Sequence, residues 1–281
     1  MAAATPAQQQ LVAIRGAGDI ASGVALRLWH AGFKVVMLEV AKPTVIRRSV
    51  AFAQAVFDGE MTVEGVVAKR VSSAQEAIRV IENGAIPVLV DPLCESLNEL
   101  RPVCVVDAIL AKENFGTQRE MAPAVIALGP GFCAGVDCHA VIETNRGHWL
   151  GQVIYDGKAQ ENTGVPGNIL GHTSRRVIRA PGAGVMRAKV ALGDIVNEGD
   201  IIATVGEAEI IAPLSGMVRG LLSDGLVVES GFKIGDIDRA APAPILPASP
   251  IARAIGGGVL EALMTLMNKR IKEKSELLSV A

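Results

Sequence analysis

The chain has 281 residues, of which 50% are apolar, 20% charged and 3% aromatic, with a formal net charge of −2. Such a length has room for two domains at roughly 100–200 residues each, and the apolar content excludes wholesale disorder. Near-zero charge and scarce aromatics provide neither a basic surface nor a stacking platform, so nucleic acid is not an expected partner.

Residues 1–10 lack the basic and apolar regions of a signal peptide and read as a disordered N-terminus. Leu11 to Ile14 is a short apolar run that opens into Arg15-Gly16-Ala17-Gly18-Asp19-Ile20-Ala21-Ser22. A helical pattern follows up to Gly32, and Lys34 to Leu38 reads as a second strand ending in Glu39. This is G-x-G-x-x-A between strand and helix, with an acid 23 residues after the first glycine (16 to 39). In such a loop Gly16 permits the tight turn, Gly18 lets backbone approach a pyrophosphate, Ala21 allows close packing, and Ser22 is a further cofactor-binding candidate. Glu39 is then placed for ribose hydroxyls. Asp19 argues against the simplest version, because a carboxylate in the first helical turn repels phosphate and can cap the helix itself. Lys42, Arg47 and Arg48 either offset that charge or form a solvated face.

Ser73 to Ile81 reads as a helix, and Ile86 to Val90, Val103 to Val106 and Ala124 to Leu128 as buried strands. Two of them end in Asp91 and Asp107, and the third opens into Gly129-Pro130-Gly131-Phe132. Strand-end aspartates serve either a ligand at the carboxyl edge of the sheet or a helix cap. The expected fold class is therefore α/β, with a Rossmann-like domain over residues 11–172.

Residues 129–167 are dense in polar groups and glycine. Gly129 and Gly131 bring backbone donors close to a ligand, and Asn145 and Arg146 offer an amide and a bidentate anion clamp. Asp137, His139 and His148 are the candidate proton-transfer groups, although Asp137 and His139, two apart, can equally form a simple pair. Cys133 and Cys138 are either inert thiols or carriers of a sulfur or metal. With Cys94 and Cys104 they show no zinc-type spacing, which suits reduced thiols of a cytoplasmic protein, and no metal site is expected. No uninterrupted apolar stretch approaches the roughly 18 residues of a membrane span.

Further on the text repeats. Ala180, Pro181, Gly184, Arg187, Gly193, Val196 and Gly199 recur 32 residues later as Ala212, Pro213, Gly216, Arg219, Gly225, Val228 and Gly231. A repeat that short cannot bury its own apolar face, so two copies are expected to interlock over residues 173–240. The pair resembles the barrel-sandwich hybrid fold of biotinyl and lipoyl carrier domains, whose modified lysine sits at a hairpin tip. Here the tip, Val205 to Ile210, has no lysine, so neither biotin nor lipoate is expected and a docking or oligomerisation module remains. Residues 241–281 read as a linker and a C-terminal helix opened by Ser249-Pro250, packed on the body or on a second subunit.

As a set, Arg15 to Gly23, Val90-Asp91-Pro92, Asp107 to Lys112, Gly129 to Phe132, Glu143 to His148 and Lys233 to Asp238 resemble the YqeB family. These are accessory proteins associated with selenium-dependent molybdenum hydroxylases. The resemblance spans about residues 11–240. It implies a role in maturing such a hydroxylase, with that enzyme or its maturation machinery as partner, and it carries over no catalytic residue. Joined to the glycine loop, it implies binding of a dinucleotide or of the nucleotide-bearing molybdenum cofactor. Two alternatives stand beside it: an NAD(P)-dependent oxidoreductase, and a scaffold without a small ligand.

Overall fold

A computed structural model describes residues 10–161, 176–238 and 247–280, the last ten as backbone. The N-terminal segment 1–9, the polar turn 162–167, the boundary at 172/173 and the start of the linker at 241–246 lie outside the described residues.

The first part runs β1 (Leu11–Arg15), α1 (Asp19–His30), β2 (Lys34–Glu39), α2 (Ala55–Asp58), β3 (Glu60–Val63), β4 (Val66–Val71) and α3 (Ala74–Glu82). It continues with β5 (Ile86–Val90), α4 (Leu97–Leu100), β6 (Cys104–Asp107), β7 (Ala124–Leu128), β8 (Ala140–Ile142) and β9 (Val153–Ile154). These nine strands form one sheet in the order β3-β4-β5-β2-β1-β6-β7-β8-β9. The inner seven are parallel, whereas β3 and β9 run antiparallel at the two edges. β1 is buried along its whole length, as an apolar run covered on both faces must be. Its residues alternate between two cores: Val12 and Ile14 face α1, while Leu11 and Ala13 face α3.

The repeat supplies β10 (Val177–Arg179), β11 (Gly184–Ala188), β12 (Ile195–Val196), β13 (Ile201–Val205), β14 (Ala208–Ile211), β15 (Gly216–Leu221), β16 (Val227–Val228) and β17 (Lys233–Asp238). They form two four-stranded antiparallel sheets, β10-β17-β15-β12 and β14-β13-β11-β16. The two copies exchange strands, since β12 pairs with β15 and β11 with β16. The tip between β13 and β14 is the two-residue turn Gly206-Glu207.

The helix α5 (Pro250–Val280) returns to the large sheet. Ser249 Oγ accepts the Ala252 N–H at 3.2 Å, so Ser249 and Pro250 do start this helix. Its segment Pro250–Arg270 has the length and apolar composition of a membrane span, which the eye misses because Arg253 and Glu261 break the run. In the fold, Ile255, Val259, Ala262 and Leu263 of this segment are buried in the core that α1 also faces.

These findings correct the expected fold class. The architecture is one large mixed sheet with two smaller antiparallel sheets, and not a Rossmann-like domain followed by a barrel-sandwich hybrid domain. Both edges of the large sheet are closed by antiparallel strands, and no α-helix joins β6 to β7 or β7 to β8. The helix layer there comes instead from α5, more than a hundred residues downstream, which packs on α1, β7, β8 and β9. Nor do the antiparallel sheets stand alone, because Ile46 from the large-sheet region packs against their core.

The seam between α1 and α5 depends on small side chains. A Cβ at Gly23 would lie 2.4 Å from that of Ala252, and one at Gly258 2.2 Å from the Gly151 carbonyl oxygen. Gly23→Val is therefore expected to overpack the seam and lower stability by about 1–3 kcal/mol, read as an earlier midpoint in urea unfolding. An unchanged midpoint would mean that α5 does not sit as described.

Candidate functional site

A cavity of about 1010 Å³ opens between the carboxyl ends of β1, β2 and β5 and the sheet β10-β17-β15-β12. One wall is the glycine loop with Glu39 and Asp91; the other carries Arg176, Arg219, Lys233 and Asp236. Arg47, Arg146 and the start of α5 at Ser249 complete the lining.

On the loop wall, local bonds have claimed much of what the sequence offered to a ligand. Gly16 makes the turn at φ +93°, and a Cβ there would lie 3.1 Å from the Ala108 carbonyl oxygen. The Glu39 carboxylate accepts the N–H groups of Ala17 at 2.8 Å and Val40 at 2.7 Å. It is thus bonded into its own loop, and burial, outweighing those two bonds, raises its pKa above the usual carboxylate range. Asp19 does not cap α1; Gly18 holds that position without a side-chain bond, and Asp19 meets Arg47 at 3.5 Å. Ser22 is buried, donating to the Ala17 carbonyl at 3.2 Å and accepting the Phe52 N–H at 2.8 Å. Ala21 is fully buried. Asp91 accepts the N–H groups of Glu95 and Ser96 and so closes the turn before α4, whose N-cap position is Ser96.

Behind the loop, Arg15 and Asp107 form a buried ion pair at 3.1 Å. Thr117 Oγ1 hydrogen-bonds both, and the Phe115 carbonyl accepts from Arg15 at 3.0 Å. The pair locks the ends of β1 and β6 to the 107–117 loop, because either charge left alone there would be strongly destabilising.

The facing wall is cationic. Arg176 reaches Asp236 at 3.2 Å, Arg219 reaches Asp238 at 3.3 Å, and Lys233 stands 4.0 Å from Asp236. The Nε atoms of Arg47, Arg176 and Arg219 and one oxygen of Asp236 are buried without a hydrogen-bond partner among the described residues. Crowding shows in the acid–base behaviour. Burial first, with Arg219 adding repulsion that nearby carboxylates partly offset, lowers the pKa of Arg47. Burial, then Arg176 and Arg219, lowers that of Arg146. Burial and the neighbouring Arg176 lower that of Lys233, against the pull of Asp236.

A second cavity of about 310 Å³ adjoins the first through Ile20, Leu110 and Ile251. Asn145, Gln160, Thr144 and Lys112 give it polar edges over an apolar floor. Asn145 donates to Gln160 at 2.8 Å, and its N–H goes to the buried Glu143 at 2.7 Å. Gly129 and Gly131 line neither cavity; their positive φ angles fit backbone against Thr144 and Glu113. Exposed Arg146 faces the large cavity, and His148 lies exposed two residues on.

Asp137 and His139 are brought to the opposite edge of the sheet, before β8. Asp137 accepts the Cys133 N–H at 2.7 Å, closing a turn. His139 Nδ1 accepts the Val125 N–H at 3.0 Å, while its own N–H goes to the Val125 carbonyl. Burial, with Arg119 and Arg270 nearby, lowers its pKa, so the ring stays a neutral acceptor. Cys138 is buried with its pKa pushed up to about 12, first by desolvation and then by Asp137, so its thiol is inert. Among the described residues no three His, Cys, Asp or Glu side chains are grouped to hold a metal.

Sequence reasoning did not place Arg176, Arg219, Lys233 and Asp236 in the site. Two signals were available: the motif Lys233 to Asp238, and the repeat, which marks Arg187 and Arg219 as equivalents. Arg187 instead pairs with exposed Asp224 at 2.8 Å on the other sheet.

Comparison with known proteins now bears on the chain. Uncharacterized protein YqeB of Escherichia coli K12 is 71% identical over 277 residues, 98% of this chain and 51% of that protein. Over that stretch the chain is closely similar to YqeB. It spans about half the length of the curated YqeB protein it matches. No family model matches the sequence. Solved structures resembling the chain include an aspartoacylase family protein from Mesorhizobium loti, at 14% identity and TM-score 0.25 over 64% of this chain and 87% of that one. Another is a succinylglutamate desuccinylase from a Silicibacter species, at 12% identity and TM-score 0.25 over 81% and 84%. Scores this low carry no argument about fold or chemistry.

His139→Ala is expected to cost about 1–3 kcal/mol of stability, because it strands the Val125 N–H, and to leave ligand binding in the large cavity unchanged. Loss of binding at full stability would return His139 to the site.

Proposed function

We propose that this protein is an accessory factor in the maturation of a selenium-dependent molybdenum hydroxylase, and that its large cavity takes a phosphate-bearing, nucleotide-like ligand. The nucleotide-bearing molybdenum cofactor is the cargo this reading favours. The observation that carries it is the cationic wall of Arg47, Arg146, Arg176, Arg219 and Lys233 facing a glycine loop across a cavity of about 1010 Å³. Space on this scale accommodates a dinucleotide. The smaller adjoining cavity, apolar below with amide edges, suits a planar heterocycle. The YqeB kinship and the motifs that resemble an accessory family supply the biological setting.

The oxidoreductase alternative loses its motivation, since Asp137 and His139, two of its three proton-transfer candidates, lie at the sheet edge away from the cavity. Calorimetric titration of the full chain with NAD(H), NADP(H), ATP, CTP and a molybdopterin dinucleotide tests the reading. Binding is expected for at least one of the phosphate-bearing compounds, with the dinucleotide cofactor tightest. No binding by any of them would sink it. Co-purification with the partner hydroxylase, when both are expressed together, is the expected cellular counterpart.

A further inference from the structure

A glycine loop at the start of a helix ordinarily holds a phosphate through its free N–H groups and the helix dipole. Here carboxylates oppose the dipole and take one of the loop donors, although Gly18 caps α1 without a side-chain bond. The Ala17 N–H is bonded to Glu39, and Glu39 and Asp19 place carboxylates at the N-terminal end of α1. The other wall has the opposite character. Arg47, Arg146, Arg176, Arg219 and Lys233 carry five positive charges; the carboxylates they pair with are Asp236 and Asp238 on the same wall and Asp19 on the loop side, which leaves a surplus of two. Each of Arg47, Arg176 and Arg219 meets its carboxylate through a single Nη1 contact, so none of these pairs is the two-pronged kind that satisfies a guanidinium. Their Nε donors are buried and unpartnered among the described residues, a cost of packing these guanidiniums together.

We propose that the phosphate groups of the ligand are held by this guanidinium wall, with Arg146 and Lys233 closing over a dianion such as a diphosphate, and not by the glycine loop. The polarity of the ligand follows. Its phosphates point to the antiparallel sheet, and its hydroxyl- or amine-bearing end points to Glu39 and the loop. Because the wall is drawn from β2's trailing loop, β10, β15, β17 and the 143–148 turn, such a ligand ties the antiparallel sheets to the large sheet. The proposal rests on the reading that the cavity takes a phosphate-bearing ligand, and deepens it.

Inorganic pyrophosphate and CTP, titrated calorimetrically into the full-length chain, are the test. Arg146→Gln, Arg176→Gln and Arg219→Gln are each expected to weaken pyrophosphate at least tenfold. Lys42→Gln, an exposed cation that does not line the cavity, is expected to change it less than twofold. Arg146 is exposed and has no ion pair among the described residues, so its variant reports on binding even if Arg176→Gln or Arg219→Gln misfolds. Retained binding in Arg146→Gln and in the other folded arginine variants, with loss in Gly18→Ala, would overturn the proposal in favour of the loop. CTP binding that ignores the arginine variants would overturn it while leaving the proposed function standing. Pyrophosphate binding that obeys them, with no nucleotide or cofactor bound, would leave the arginine wall and remove the proposed function. No binding of either probe would overturn both.

Discussion

The short segment after β2 holds the molecule in its functional shape. Ile46 packs against the core of the antiparallel sheets, its carbonyl accepts the Leu221 N–H at 2.9 Å, and Arg48 Nε donates to the Leu221 carbonyl at 2.8 Å. Ile46 can come this close because residue 220 is glycine; a Cβ there would lie 3.1 Å from the Ile46 side chain. Two backbone-directed bonds and one partly buried side chain thus dock β15 beside the carboxyl ends of the parallel strands. Remove that joint and the two walls of the cavity have no reason to face one another.

Once they face, the charges sort themselves across the gap. The loop side keeps its carboxylates occupied: Glu39 with backbone N–H groups, Asp91 with the turn before α4, Asp107 with Arg15. The sheet side gathers cations faster than it gathers carboxylates. Holding cations in a partly buried space is unfavourable: burial first, and then neighbouring cations, lower the pKa values of Arg47, Arg146 and Lys233. A fold that keeps such a cluster gains from an anion that relieves it, and binding stabilises the form that has the cluster assembled.

Local structure was readable from the sequence to a large extent. Apolar runs marked β1, β2, β5, β6 and β7, the glycine loop fell between β1 and α1, and Ser73 and Ser249 marked the starts of α3 and α5. The echo of 32 residues announced strand exchange (180 to 212). What failed was assembly. The sequence presents α5 as a helix packed on the body or on a second subunit, but does not show that Gly23, Gly256 and Gly258 let it nest against α1 and the 151 turn as the missing helix layer. Likewise Arg176 and Arg219 look like ordinary strand-flanking charges. Only the docking of β15 on Ile46 turns them toward Gly16, and contacts between residues so far apart leave no local pattern. His139 failed in the other sense: a polar residue beside glycines reads as chemistry, yet its ring bonds a strand N–H.

Hydrogen exchange on the full chain, with and without the tightest ligand from the nucleotide and cofactor panel, tests most directly whether the cleft between the two walls is the binding site. The account predicts protection on both sides at once, in residues 45–48 and in β15 and β17, together with the loop after β1. Protection confined to one wall, or to the 132–139 turn, would contradict it.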